Sequence, residues 1–137
     1  MDRSKAWYKE LRKPWFAPPS WVFAPVWTVL YLIIAGTYGY VAYAAYLERV
    51  PRILIIPFAL NLLFNLLYSP IQFGLRNLLL ATIDIFLVLG TLIVALLGAY
   101  HYIPWVSIAN IPYLAWVCFA TLLQTTITLM NRDKWST

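Results

Sequence analysis

Charge is what this sequence has least of. Only 11% of its 137 residues are charged, while 63% are hydrophobic. That leaves too little polar surface to cover a water-soluble domain of this size. The single cysteine, Cys118, excludes an intrachain disulfide. The single histidine, His101, has no second histidine or cysteine at ligand spacing, so no metal or axially ligated haem site is expected. A Ser–His–Asp set is excluded too, because His101 and the one acid inside an apolar run, Asp84, belong on opposite sides. No glycine-rich phosphate loop is present. Asp84 has no second acid or base at similar depth, which argues against a proton pump. The first fourteen residues are charged and lack the apolar core of a signal peptide. No conventional catalytic constellation and no required cofactor emerge, so enzymatic activity is left open.

What the sequence does have is long apolar runs. Trp21 to Leu47, Ile53 to Leu75 and Ile103 to Asn131 carry no charge, and Asn77 to Tyr100 carries only Asp84. Each run reaches the roughly 20 residues that cross a bilayer. The expected fold is all-α: a polytopic transmembrane bundle of four helices, in one membrane domain over residues 1–137. The helices are expected at about 20–47, 53–73, 77–100 and 106–130, with an interfacial loop over 1–19 and a tail over 131–137. Short connections make the bundle up-and-down. Pro57 and Pro70 are expected to kink the second helix, and Pro112 the fourth. Tyr38, Tyr40, Tyr43 and Tyr46 read as an aromatic belt. Ala35, Gly36, Gly39, Gly90 and Gly98 read as points of close helix approach.

The net charge of +5 is unevenly placed. Arg3, Lys5, Lys9, Arg12, Lys13, Arg76, Arg132 and Lys134 fall on one side of a four-span bundle, and only Arg49 and Arg52 on the other. By the positive-inside rule the loop over 1–19 and the C-terminus are cytoplasmic. This basic excess orients the chain and meets anionic lipid; no nucleic-acid partner is expected.

The segment from Trp7 to Tyr31, WYKELRKPWFAPPSWVFAPVWTVLY, which runs into the first helix, combines Trp7, Trp15, Trp21 and Trp27 with Pro14, Pro18, Pro19 and Pro25. Its prolines forbid one continuous helix, and its indoles suit the membrane interface. It reads as a shaped lid over an apolar site. At depth, Asn61, Asn65 and Ser69 are spaced i, i+4, i+8 and form one stripe. Interhelical hydrogen bonding and the polar side of a pocket explain that stripe equally well. Asp84 is expected to pair with Arg76 or reach toward the headgroups. Gln124 needs a partner, whereas Thr121, Thr125, Thr126 and Thr128 can bond their own i−4 carbonyls. Trp116 and Ala120 share a face, the small residue leaving room beside the large one.

The order of motifs resembles the TspO/translocator-protein family, the tryptophan-rich sensory proteins that include the peripheral benzodiazepine receptor. The matching residues are Trp7-Tyr8, Leu11, Lys13-Pro14, Pro18-Pro19, Pro25-Val26-Trp27-Thr28, Leu30-Tyr31 and Asn61 with Asn65. They continue with Asn77, Ala81-Thr82-Ile83-Asp84, Pro112 through Trp116, and Phe119-Ala120. The family has five helices, the first ahead of the Trp-Tyr motif; only Met1 to Ala6 precede it here. Either a natural four-helix form or a lost first helix is expected, the latter leaving an open groove beside the first helix of this chain. Gln124 stands where the family usually has asparagine, and the C-terminal sterol-recognition pattern is not matched.

The resemblance implies a bacterial cell membrane protein that binds tetrapyrroles such as protoporphyrin and haem, or drug-like hydrophobic ligands, in a pocket beneath the loop. It implies a homodimer. The expected ligand-binding set is Trp27, Tyr31, Asn65, Ser69, Tyr68, Trp116, Phe119 and Ala120. Trp7, Tyr8, Trp15, Pro18 and Pro19 are the expected lid. Trp27 and Trp116 match the positions tied to light- and oxygen-dependent porphyrin breakdown, so they are the catalytic candidates if chemistry occurs. Sensing, transport and degradation of porphyrin all stay open. The alternative is a ligand-modulated signalling or scaffold protein acting through a dimer or partner.

Overall fold

A computed structural model describes residues 14–17, 20–71 and 77–131, with the backbone alone at Ser20 and Ser69. The fold is all-helical over these residues. A 3-10 turn, Ser20–Val22, leads into α1, Phe23–Tyr46. A second 3-10 turn, Arg52–Leu54, leads into α2, Ile55–Ser69. Then come α3, Leu78–Tyr102, the short α4, Pro104–Ala109, and α5, Ile111–Met130. By length and composition, α1, α3 and α5 can each cross a membrane; the apolar segment Arg52–Tyr68 is shorter.

Local chemistry explains the ends. The side chain of Asn77 caps α3 by accepting the Leu80 N–H at 3.0 Å. At the end of α1 the Glu48 N–H donates to the Ala45 carbonyl and the Arg49 N–H to the Ala44 carbonyl. This is a Schellman closure, with Glu48 at the left-handed position (φ 60°) that glycine fills at least cost. Glu48 also meets Arg52 at 3.1 Å, but both side chains are exposed and the pair contributes little.

The expected turn over 101–105 and single fourth helix are both corrected. Helix α3 continues through Tyr102, and only Ile103 separates it from α4. Pro104 starts α4 because the first turn does not need its missing N–H. Pro112 likewise sits in the first turn of α5, so the expected kink is a full break at Asn110. The α-helical part of the second helix ends at Ser69 and the chain continues as a π turn through Pro70 and Ile71; the expected end near residue 73 lies outside the described residues.

Backbones pack closely between α2 and α3 and between α3 and α5, while α1 stands further off. Small residues explain one close approach. A Cβ on Gly98 would lie 2.9 Å from the Leu54 side chain. The same addition at Gly36, Gly39 or Gly90 meets nothing within 4 Å, so these are not the contact points expected of them. Nor do all four tyrosines form a belt. Tyr43 and Tyr46 are exposed, but Tyr40 packs edge-on to Trp105, and Tyr38 packs edge-on to Phe58 with its hydroxyl inside the bundle.

Candidate ligand groove

Between α1 and α5 lies an open groove of about 770 Å³. Pro25, Val26, Val29 and Leu30 form one wall; Pro112, Ala115, Trp116 and Phe119 form the other. The i, i+4 and i, i+3 spacings on both helices place these residues on facing stripes. Where α1 and α5 face each other here, rings bridge the gap. Trp27 meets Trp116 edge-to-face with centroids 6.4 Å apart, and Phe23 meets it at 5.8 Å. Phe119 lies 5.5 Å from Trp116, and Phe16 lies 6.2 Å from Phe119. Below this cluster Trp27 lies against Tyr31 at 5.6 Å, tilted by 34°.

The residues that line the groove present an apolar wall. The Trp116 Nε1–H is buried and has no hydrogen-bond partner. A buried, unsatisfied donor costs free energy unless a partner arrives, and lipid tails offer none.

Behind the rings runs a polar chain. The Tyr31 hydroxyl donates to Asn65 Oδ1 at 2.7 Å, and Asn65 Nδ2 donates to the Tyr113 hydroxyl at 2.6 Å. Tyr113 donates to Asn61 Oδ1 at 3.0 Å, as Tyr38 does at 2.6 Å. Asn61 Nδ2 donates to the Val88 carbonyl at 2.9 Å and to Thr91 Oγ1 at 3.3 Å. Because a carbonyl can only accept, Val88 fixes which way the Asn61 amide points and hence the direction of the whole chain. The series joins α1, α2, α5 and α3. Asn61 and Asn65 therefore serve as interhelical ties, with Asn65 reaching the groove side through Tyr31.

A second network lies deeper. The Tyr68 hydroxyl donates to Gln124 Oε1, and Gln124 Nε2 donates to Thr128 Oγ1 at 3.2 Å. Thr128 pairs with Thr82 and with the Leu78 carbonyl rather than with its own i−4 carbonyl. Thr121, Thr125 and Thr126 do bond their i−4 carbonyls. Asp84 does not reach outward. It is buried in the bundle, 4% exposed, with Oδ2 unpartnered. Arg76, its expected partner, lies outside the described residues.

Of the expected ligand set, Trp116 and Phe119 line the groove, Trp27 and Tyr31 contact each other outside its lining, with Trp27 edge-on to Trp116, and Ala120 packs against the same core. Tyr68 joins the deeper network instead. The Ser69 side chain lies outside the described residues, as do Trp7, Tyr8, Pro18 and Pro19 of the lid. Trp15 is described and is 95% exposed, edge-on to Phe16. No group of metal-binding side chains occurs among the described residues.

The sequence model of the TspO/MBR family matches residues 1–130. The chain belongs to the TspO/MBR family. It is 35% identical over 127 residues to "Tryptophan-rich protein TspO" of Archaeoglobus fulgidus, covering 93% of this chain and 81% of the relative. It is 32% identical to "Tryptophan-rich sensory protein" of Cereibacter sphaeroides over 129 residues, or 93% and 78% of the two chains. Human "Translocator protein" is 34% identical over 123 residues, or 86% and 70%. The motif resemblance is thereby borne out, and this TspO/MBR protein is an integral membrane protein. Sequence reasoning missed the groove residues Val29 and Ala115 and the hub role of Tyr113. Tyr113 did carry a signal, since a tyrosine deep in an apolar run needs a partner for its hydroxyl.

Proposed function

We propose that the groove between α1 and α5 binds a tetrapyrrole such as protoporphyrin, or a similar flat hydrophobic ligand. The observation that carries this reading is the open apolar groove of about 770 Å³, with Trp116 and Phe119 on its α5 wall. A flat ring system lies along the apolar stripes and against the rings of Trp116 and Phe119, where stacked rings contribute beyond the area they bury. The names of the relatives speak of sensing and translocation, and either activity begins with such a complex. Trp27 and Trp116 are also the residues we assign to any light-dependent breakdown of the bound porphyrin.

Titration of the purified protein in detergent with protoporphyrin tests this. Saturable quenching of tryptophan fluorescence with a matching shift of the porphyrin band is the expected result. Linear quenching without saturation contradicts it and favours a scaffold role that needs no such ligand.

A further inference from the structure

The two walls of the groove differ in relief. The α1 wall is formed by four aliphatic side chains of similar size, Pro25, Val26, Val29 and Leu30. On α5, Ala115 is the smallest side chain of the lining and sits among Pro112, Trp116 and Phe119. Its spacing to Phe119 is i, i+4 and to Pro112 i, i−3, so the three share one stripe. Because Ala115 ends at its Cβ, that stripe has a notch between two larger groups. The register places the notch at the level of Val29. Helices α1 and α5 run antiparallel: Phe23 and Trp27 meet Trp116, whereas Thr37 meets Asn110. Ala115 is one residue from Trp116 toward Asn110, and Val29 is two residues from Trp27 toward Thr37. Both are exposed, so neither is held in the packing of the bundle.

We propose that Ala115 is the specificity-determining residue of the groove and selects ligands by width. The notch receives the edge of a broad, flat ring system, which then lies against the rings of Trp116 and Phe119. A narrow apolar chain lies along the groove and does not need the notch. Bulk added at this position therefore discriminates between the two, because a filled apolar site rejects the wider ligand first. This inference deepens the tetrapyrrole reading given above and rests on it.

Two ligands and two variants test it. Protoporphyrin is the broad probe; an unbranched, fluorescent polyene fatty acid is the narrow one. Ala115→Leu fills the notch at an exposed position. Cys118→Leu adds bulk at an exposed position of α5 outside the groove lining. Ala115→Leu is expected to weaken protoporphyrin binding about tenfold or more and to change polyene binding by no more than about twofold. Cys118→Leu is expected to change neither. A parent protein without saturable protoporphyrin binding overturns the reading of the groove, and this inference with it. A parent that binds protoporphyrin while Ala115→Leu binds it equally well overturns the inference alone. Equal loss of both ligands does the same, since it means a blocked groove rather than a width filter, as does an equal loss in Cys118→Leu. A parent that binds protoporphyrin but not the chain also overturns it, since a space wide enough for the ring admits the chain.

Discussion

Trp116→Ala is expected to weaken protoporphyrin binding about 30- to 150-fold, equivalent to about 2–3 kcal/mol. Two losses combine in that figure. The indole contributes the largest ring on the α5 wall, and it holds Trp27 and Phe23 in place edge-on. Trp116→Phe separates ring size from ring presence. It keeps an aromatic ring on the wall, so about a tenfold loss or less is expected. Fluorescence titration of the two variants against the parent reads both. Equal affinity in all three proteins places the ligand elsewhere.

The largest effect on stability is expected at Asn61, not in the groove. This side chain is fully buried and joins Tyr38, Tyr113, Val88 and Thr91. Asn61→Leu keeps the volume but takes the acceptor from the Tyr38 and Tyr113 O–H groups; the Tyr113 oxygen still accepts from Asn65, whereas Tyr38 loses the bond it makes inside the bundle. A stability loss of about 2–3 kcal/mol follows from two buried donors left without an acceptor. Individual interhelical bonds in membranes are weaker than this, so the penalty comes chiefly from the unsatisfied O–H donors, Tyr38 above all. The double variant Asn61→Leu with Tyr38→Phe is therefore expected to recover part of the loss. Thermal unfolding in detergent checks both statements; a purely additive double variant contradicts the network.

The distinction between Asn61 and its neighbours shows what was legible in the chain beforehand. Apolar runs between charged segments marked the spans because the bilayer sets both length and polarity. The i, i+4 spacing marked Asn61 and Asn65 as one face for the same geometric reason. What occupies that face depends on the tyrosines of α1 and α5, whose register against α2 no single-helix period encodes. Tyr38 illustrates the point. Its position among other tyrosines suggested a belt at the interface, yet its hydroxyl lies on Asn61 inside the bundle. Gly36 and Gly39 misled similarly, because small residues permit close approach without requiring it. Trp27 and Trp116 were legible through the family motifs. That they meet edge-to-face beside an unpartnered N–H became visible only with the fold.

Filling the groove tests the central claim most directly. Val29 is 56% exposed, lines the groove and takes no part in the polar chain. Val29→Trp places a large ring in the space assigned to the ligand while leaving the buried face of α1 untouched, so stability should change by no more than about 0.5 kcal/mol. The expected result is loss of saturable protoporphyrin binding in a protein that unfolds at the parent's temperature. Binding at the parent's affinity by an equally stable Val29→Trp variant would contradict the assignment of this groove as the ligand site.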